Sequence, residues 1–220
     1  MAKLSGLFDS FDNLDQIDIE VVASWIKPTP QLIQLENYLA NRILYPQTLP
    51  LTEYELKLDL AILRELLRIN GPKSSGNGEN SLLGDNPFLN ITLRKILIPA
   101  KFLHFIPNLT TLTWAFIDGL LIDRKKEDWF EDLWTVVLEG DIDEIVGSVI
   151  LPQFKSNSAE LNLSVLGKNY KIRSGSLTII TCPKDRCEIS YKFNNGKILG
   201  KSESALEVYG GKLGLMIDGR

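Results

Sequence analysis

The sequence predicts an α+β protein, helical at the front and β-rich at the back, and three observations carry that reading. Apolar residues recur at helical spacing through residues 14–69. A stretch rich in Gly, Ser and Asn, residues 70–87, then breaks the periodicity. After residue 145 the texture turns to short alternating runs divided by Gly, Asn and Pro, the pattern of a small antiparallel sandwich or barrel. The resulting division is a helical subdomain over 1–70, a flexible linker over 71–90, an α/β segment over 91–145 and an antiparallel β domain over 146–220.

The first helices are read from stripes and breakers. Residues 14–26, "LDQIDIEVVASWI", and 31–45, "QLIQLENYLANRILY", each carry a helical pattern, and in the second Leu32, Leu35, Leu39 and Ile43 form one line. "KPTP" at 27–30 separates them because proline has no amide donor and restrains its predecessor. "PQTLPLT" at 46–52 stops the second helix. Thr52 followed by Glu55 has the spacing of a capping box, and it opens a third helix with Leu56, Leu60, Leu63 and Leu67 aligned.

Further along, "LRKILIPA" (93–100) reads as a buried strand, and Asn108 with Thr110 and Thr111 starts a helix running to about Arg124. Residues 128–138 are expected to form a shorter helix presenting Trp129, Leu133 and Trp134 to the core. In the β-rich part, Tyr209-Gly210-Gly211-Lys212 is expected to be a hairpin turn, since two glycines accept positive φ.

Charge is unevenly placed. Residues 1–75 hold 7 basic and 10 acidic side chains, residues 76–146 hold 6 and 12, and residues 147–220 hold 11 and 6. Drift between domains explains this reversal most simply; docking of the basic end on an acidic surface is the sharper reading. The net charge of −4 argues against a nucleic-acid partner. No apolar run approaches the ~20 residues of a membrane-spanning helix, so no membrane partner is expected either. The start, "MAKLSGLFDSFDNLDQ", lacks the apolar core of a signal peptide. Two cysteines in this length point to a reducing, cytoplasmic setting.

The residue types that carry chemistry are sparse. Cys182 and Cys187, in "CPKDRC", are read as two semi-buried thiols at strand ends, with a redox disulfide as the alternative. His104 is the single histidine and sits between aromatics in "KFLHFIP", the setting of a structural residue. Asp118 interrupts an apolar helix, which an inter-helix hydrogen bond or a cap explains. No phosphate loop, dinucleotide fingerprint, Ser-His-Asp arrangement or metalloprotease motif occurs, so neither a catalytic set nor a cofactor or metal site is expected.

Several segments together carry a resemblance. "YLANRILYPQTLPLTEYELKLDLAILRELLR" (38–68) resembles a segment of the MutL-type proteins of glutamate mutase operons, with Asn41, Pro46, Thr48 and Pro50 at the matching places. "EIVGSVILP" (144–152) and "GSLTIITCP" (175–183) are similar to that family's later strands. "EVYGGKLGLMIDGR" (207–220), with Gly210, Gly211 and Asp218, is similar to its ending, where relatives continue past the position of Arg220. The resemblance implies the second half of an actin-like ATPase without the N-terminal lobe and its "DIGST" phosphate loop. The family's second glycine-rich loop corresponds here to "LIPAKFLHFIP" (97–107), which has no glycine, so no bare backbone amides are on offer to a nucleotide.

The functional expectation follows from that loss. It is a non-catalytic interaction or assembly module holding a protein partner or another copy of itself, with no cofactor. Trp25, Phe102, Phe105 and Trp114 are its expected surface, apolar area once covered by the missing lobe. The alternative is one half of a split ATPase, completed by a separate N-terminal lobe that supplies the phosphate loop.

Overall fold

The computed structural model describes residues 7–8, 11, 14–70, 88–121, 130–183 and 185–220. The chain is a mixed α+β protein that divides into two compact units: Met1–Asn86 with Ala100–Arg124, and Pro87–Pro99 with Lys125–Arg220. The strand and the helix expected together within 91–145 therefore fall in different units. Most of the expected linker lies outside the described residues. Its last residues do not behave as a linker, because Phe88 and Leu89 are buried and Leu89–Asn90 pairs with a strand.

The first unit is helical. Helix α1, Ile19–Ser24, starts at Asp18, whose carboxylate accepts from the Glu20 and Val21 amides at 2.9 and 3.3 Å. Helix α2 is Leu32–Leu44 and α3 is Glu53–Ile69. The expected stripe on α2 is narrower than its sequence promised: Leu35 and Leu39 are buried, but Leu32 and Ile43 are 42% and 47% exposed. Arg42 occupies the third buried position instead. Conversely, α3 buries far more than one line, including Leu58, Ile62 and Leu66 and the charged Asp59 and Glu65.

A 3-10 turn, Ala100–His104, leads to helix α4, Leu109–Leu121, where the Asn108 side chain accepts from the Thr111 amide at 2.9 Å. Helices α3 and α4 meet closely at Gly119. A Cβ there would stand 2.6 Å from Leu67 Cβ and 2.7 Å from the Arg64 carbonyl, so only glycine permits the approach. One residue before it, Asp118 accepts from Arg64 Nε at 2.8 Å, the inter-helix bond its sequence setting called for. The Phe102 ring packs edge-on against Phe116, centroids 5.6 Å apart.

The second unit is β-structure. Its strands are β1 (Leu89–Asn90), β2 (Lys95–Pro99), β3 (Leu133–Glu139), β4 (Glu144–Ile150), β5 (Gln153–Phe154) and β6 (Glu160–Val165). They continue as β7 (Lys168–Arg173), β8 (Leu177–Ile180), β9 (Arg186–Phe193), β10 (Gly196–Lys197), β11 (Glu203–Tyr209) and β12 (Gly214–Asp218). One sheet has the order β1-β2-β3-β4-β12-β8, a second β11-β9-β6-β7, and β5 pairs with β10. Strand β9 alternates exposed and buried residues along its whole length. Its inward Ile189, Tyr191 and Phe193 share one core with Leu161, Leu163, Ile180, Leu215 and Ile217, which is sandwich packing of the two larger sheets.

Three expectations are corrected here. Residues 133–139 form a strand, not part of a helix: Thr135, Val136 and Val137 are consecutive β-branched residues, stiff at χ1 and suited to a pleated surface. Trp134 is fully buried in it, with Nε1 donating to the Glu131 carbonyl at 2.6 Å, and Trp129 lies outside the described residues. The region after residue 145 is not wholly antiparallel, because β12 runs parallel to β4, from Gly214 opposite Gly147 to Ile217 opposite Ile150. Finally, Tyr209–Lys212 is no hairpin. Strand β11 pairs with β9, while β12 pairs with β4 and β8, so the turn carries the chain from one sheet to the other. Gly211 still has positive φ, +80°, and a Cβ there would lie 2.3 Å from the Ile145 carbonyl oxygen.

The cysteines also depart from expectation. Cys182 and Cys187 are joined as a disulfide between the end of β8 and the start of β9, and both are about as buried as core leucines. Cysteine count therefore stops arguing for a reducing compartment. Among the described residues, no helix is long and apolar enough to cross a membrane.

Asp132, just before β3, ties strand β5 to the distant turn at Leu199. Its carboxylate accepts from the Leu199 amide at 2.7 Å and from Gln153 Nε2 at 2.9 Å. Burial pushes its carboxyl above the usual range, against the pull of those two donors. The folded state thus takes up the proton at higher pH than the unfolded chain does. Stability contributed by this group is complete below the ordinary carboxylate value and declines as pH rises through the raised one. Asp132→Ala is expected to cost about 1–3 kcal/mol by leaving the two donors unpaired. Urea titrations of both proteins should show a larger cost at mildly acidic than at neutral pH.

Candidate interaction surface

The segment between α2 and α3, residues 46–52, is held by a buried ionic cluster. Arg42 grips both carboxylate oxygens of Asp59, with Nε to Oδ1 at 2.9 Å and Nη2 to Oδ2 at 2.7 Å. Its remaining nitrogen, Nη1, donates to the Thr48 carbonyl. One turn earlier on α2, Tyr38 Oη lies 2.9 Å from Asp59 Oδ1 and 3.2 Å from the Glu55 carbonyl. Burial is the largest influence on both Asp59 and Tyr38 and raises both; the Arg42 guanidinium opposes it in each case. A single guanidinium thus ties α2, α3 and the connecting segment together, and its planar fork suits that task better than an ammonium would.

The exit from the segment is equally constrained. Thr52 Oγ1 accepts from the Glu55 amide at 3.1 Å, and Glu55 Oε2 accepts from the Thr52 and Leu51 amides at 3.1 and 2.6 Å. This is the capping box its sequence spacing predicts. At the entry, Tyr45 donates to the Asn41 carbonyl at 2.8 Å and Thr48 donates to the Tyr45 carbonyl at 3.1 Å.

Apolar side chains on this fixed frame point outward. Leu44 is 70% exposed, Tyr45 66% and Leu51 86%, with Leu49 and Tyr54 also exposed. Two cavities adjoin them. One, about 360 Å³, is lined by Leu49, Pro50, Leu51, Leu56, His104 and Phe105 among others. The other, about 220 Å³, takes in Tyr38, Asn41, Tyr45 and Thr48, and shares Leu49 and Leu51 with the first. Leu49 and Leu51 thus line both cavities, which also take in polar groups such as Arg42, Glu53 and Glu55.

The expected surface residues are placed differently. Phe102 and Phe105 are 1% and 6% exposed, so they belong to the core, with Phe105 reaching only the groove wall. Trp25 and Trp114 are half-buried, and the Arg64 guanidinium lies 5.4 Å from the Trp25 ring. Asn41, Pro46, Thr48 and Pro50 do share one place, as the frame of the connecting segment. Gly210, Gly211 and Asp218 lie in the other unit. There Asp218 is fully buried and accepts from the Arg220 amide, Nε and Nη2 at 3.0, 3.0 and 2.7 Å. Sequence reasoning passed over Leu44, Tyr45, Leu49, Leu51 and Tyr54. The available signal was their apolar character at and around the proline-bounded stretch 46–50, off the buried stripes of α2 and α3.

A broader concavity, about 680 Å³, lies on the outer face of the four-stranded sheet, between Asn162, Ser164, Lys171, Ser190, Lys192 and Glu203. Its two lysines are already paired, Lys171 with Glu160 and Lys192 with Glu203, at 2.7 and 2.8 Å. Among the described residues, no group of three or more His, Cys, Asp or Glu side chains is placed to hold a metal ion. No family model, curated protein or solved structure matches this chain.

The ionic clamp should be costly to break. Arg42→Leu strands a buried carboxylate and frees the connecting segment, so chemical denaturation is expected to show a loss of about 3–5 kcal/mol.

Proposed function

We propose that this protein is a non-catalytic interaction module, and that the apolar surface on residues 44–54 is where a protein partner docks. The observation that carries the reading is the combination of rigidity and exposure. Leu44, Tyr45, Leu49, Leu51 and Tyr54 are displayed by a segment anchored at both ends, so their exposure is built in and ordering them on binding costs little. The partner it fits is apolar: Glu55 is committed to the capping box and Glu53 pairs with Lys57 at 2.8 Å, leaving little free charge at the rim. An amphipathic helix or strand from the partner could place side chains in both grooves.

The origin of the module belongs to the same proposal. A region related to the second half of an actin-like ATPase would keep a joint like this one as scaffolding. The resemblance of 38–68 to the MutL-type proteins supports that history. The glycine-free stretch 97–107, folded as a strand end and a 3-10 turn with Phe102 buried, supports a chain that does not cradle phosphates.

The test uses a photo-crosslinking amino acid at position 51, with position 201, in an exposed turn of the other unit, as control. In the native host, position 51 should yield one dominant adduct that position 201 does not, and Leu44→Ser with Leu49→Ser should abolish it. Identical adducts at both positions, or none, would end the proposal. Both serine changes are at the surface and should move stability by no more than about 0.5 kcal/mol each.

A further inference from the structure

The edges of the β unit are not equivalent. Strand β7 carries Lys168, Lys171 and Arg173, and β11 carries Glu203 and Glu207. Charged edges of this kind resist pairing with another chain. Strand β8, one edge of the six-stranded sheet, reads Leu-Thr-Ile-Ile and has no charge, and β1 at the opposite edge is only two residues long. Its Leu177 and Ile179 are 46% and 40% exposed, on one face of the strand.

Gly219 N–H donates to the Ser176 carbonyl at 2.9 Å, so that carbonyl points toward β12. In a trans peptide the next amide points the opposite way, so Leu177 N–H faces the free edge. The register, with Thr178 opposite Ile217 and Ile180 opposite Leu215, continues the alternation. Thr178 and Ile180 therefore bond to β12. Leu177 and Ile179 present their N–H and C=O groups outward, two donors and two acceptors with no neighbouring strand among the described residues.

We propose that this edge pairs antiparallel with the same edge of a second copy, about a twofold axis at Thr178. That register sets Leu177 opposite Ile179 of the second copy, and Ile179 opposite its Leu177. Both are hydrogen-bonding pairs, so all four free groups on each strand are used, in four interchain bonds. Shifting the axis to residue 177 or 179 uses fewer of them, because Gly175 N–H is already donated to Gly219 and Thr181 lies past the end of the strand. The same register brings the two leucines and two isoleucines together on one face. Charge decides between edges. Self-pairing would set lysines and arginine against each other at β7 and glutamates against each other at β11, whereas β8 meets its copy without repulsion.

The inference rests on the β unit alone and is independent of the surface at residues 44–54. Sedimentation equilibrium on the full chain should show a reversible dimer. Ile179→Pro removes only an outward-facing amide, so the internal ladder and the circular dichroism spectrum should survive while dimer dissociation rises roughly tenfold or more. Hydrogen exchange on the unmodified protein gives a second reading that needs no variant. The Leu177 and Ile179 amides should slow as concentration rises, and amides on the β11 edge should not. A chain that stays monomeric to about millimolar concentration, a dimer indifferent to Ile179→Pro, or exchange at 177 and 179 that ignores concentration would each overturn the proposal. A dimer that Leu51→Asp abolishes and Ile179→Pro spares would relocate self-association to the helical unit and overturn it equally.

Discussion

The bidentate pair between Arg42 and Asp59 is the constraint on which the helical unit turns. Two charges removed from water are unfavourable unless geometry and further hydrogen bonds offset the desolvation, and here both do. Asp59 accepts from two guanidinium nitrogens and lies beside the Tyr38 hydroxyl, while the third nitrogen of Arg42 is used on the Thr48 carbonyl. A hydrophobic replacement could fill the volume but could not hold a backbone carbonyl six residues further along the chain. The pair therefore specifies the path of residues 46–52 more than it adds stability. Prolines at both ends and the capping box reduce the remaining freedom.

That fixed path gives the exposed leucines a different meaning from exposed leucines on a loose loop. A flexible segment would fold Leu51 and Tyr45 back against the helices and hide their area from water. Tethered at Thr48 and Thr52, the segment cannot do so without breaking buried hydrogen bonds. Apolar exposure is maintained by polar contacts. In the β unit, charged side chains line the β7 and β11 edges, while β8 carries none.

The groups that most often carry chemistry are placed as follows. His104 is exposed at the wall of an apolar groove with no carboxylate hydrogen-bonded to it, and the two cysteines are consumed in a buried disulfide. The raised carboxyls, Asp59 and Asp132, each accept structural hydrogen bonds, Asp59 from Arg42 and Asp132 from Gln153 and Leu199. Perturbed acids of this sort are the usual by-product of buried polar networks as well as of active sites, and here the networks account for them.

Local signals in the chain were enough for the helices and their ends. Asp18, Thr52, Glu55 and Asn108 act through bonds within a few residues, so their effect is written in short spacings, and α3 and α4 follow. The strand at 95–99 and the inter-helix role of Asp118 were legible for the same reason. What pairs with what was not. Residues 133–139 read as helix until a neighbouring strand on each side made extended backbone the better-bonded state. Gly210 and Gly211 looked like a hairpin because turn chemistry does not say which sheet receives the next strand. The connecting segment shows both limits together: prolines and a cap announced a rigid joint, but that Arg42 reaches Asp59 across 17 residues of chain, leaving Leu49 and Leu51 outside, depends on packing distances that no short spacing encodes.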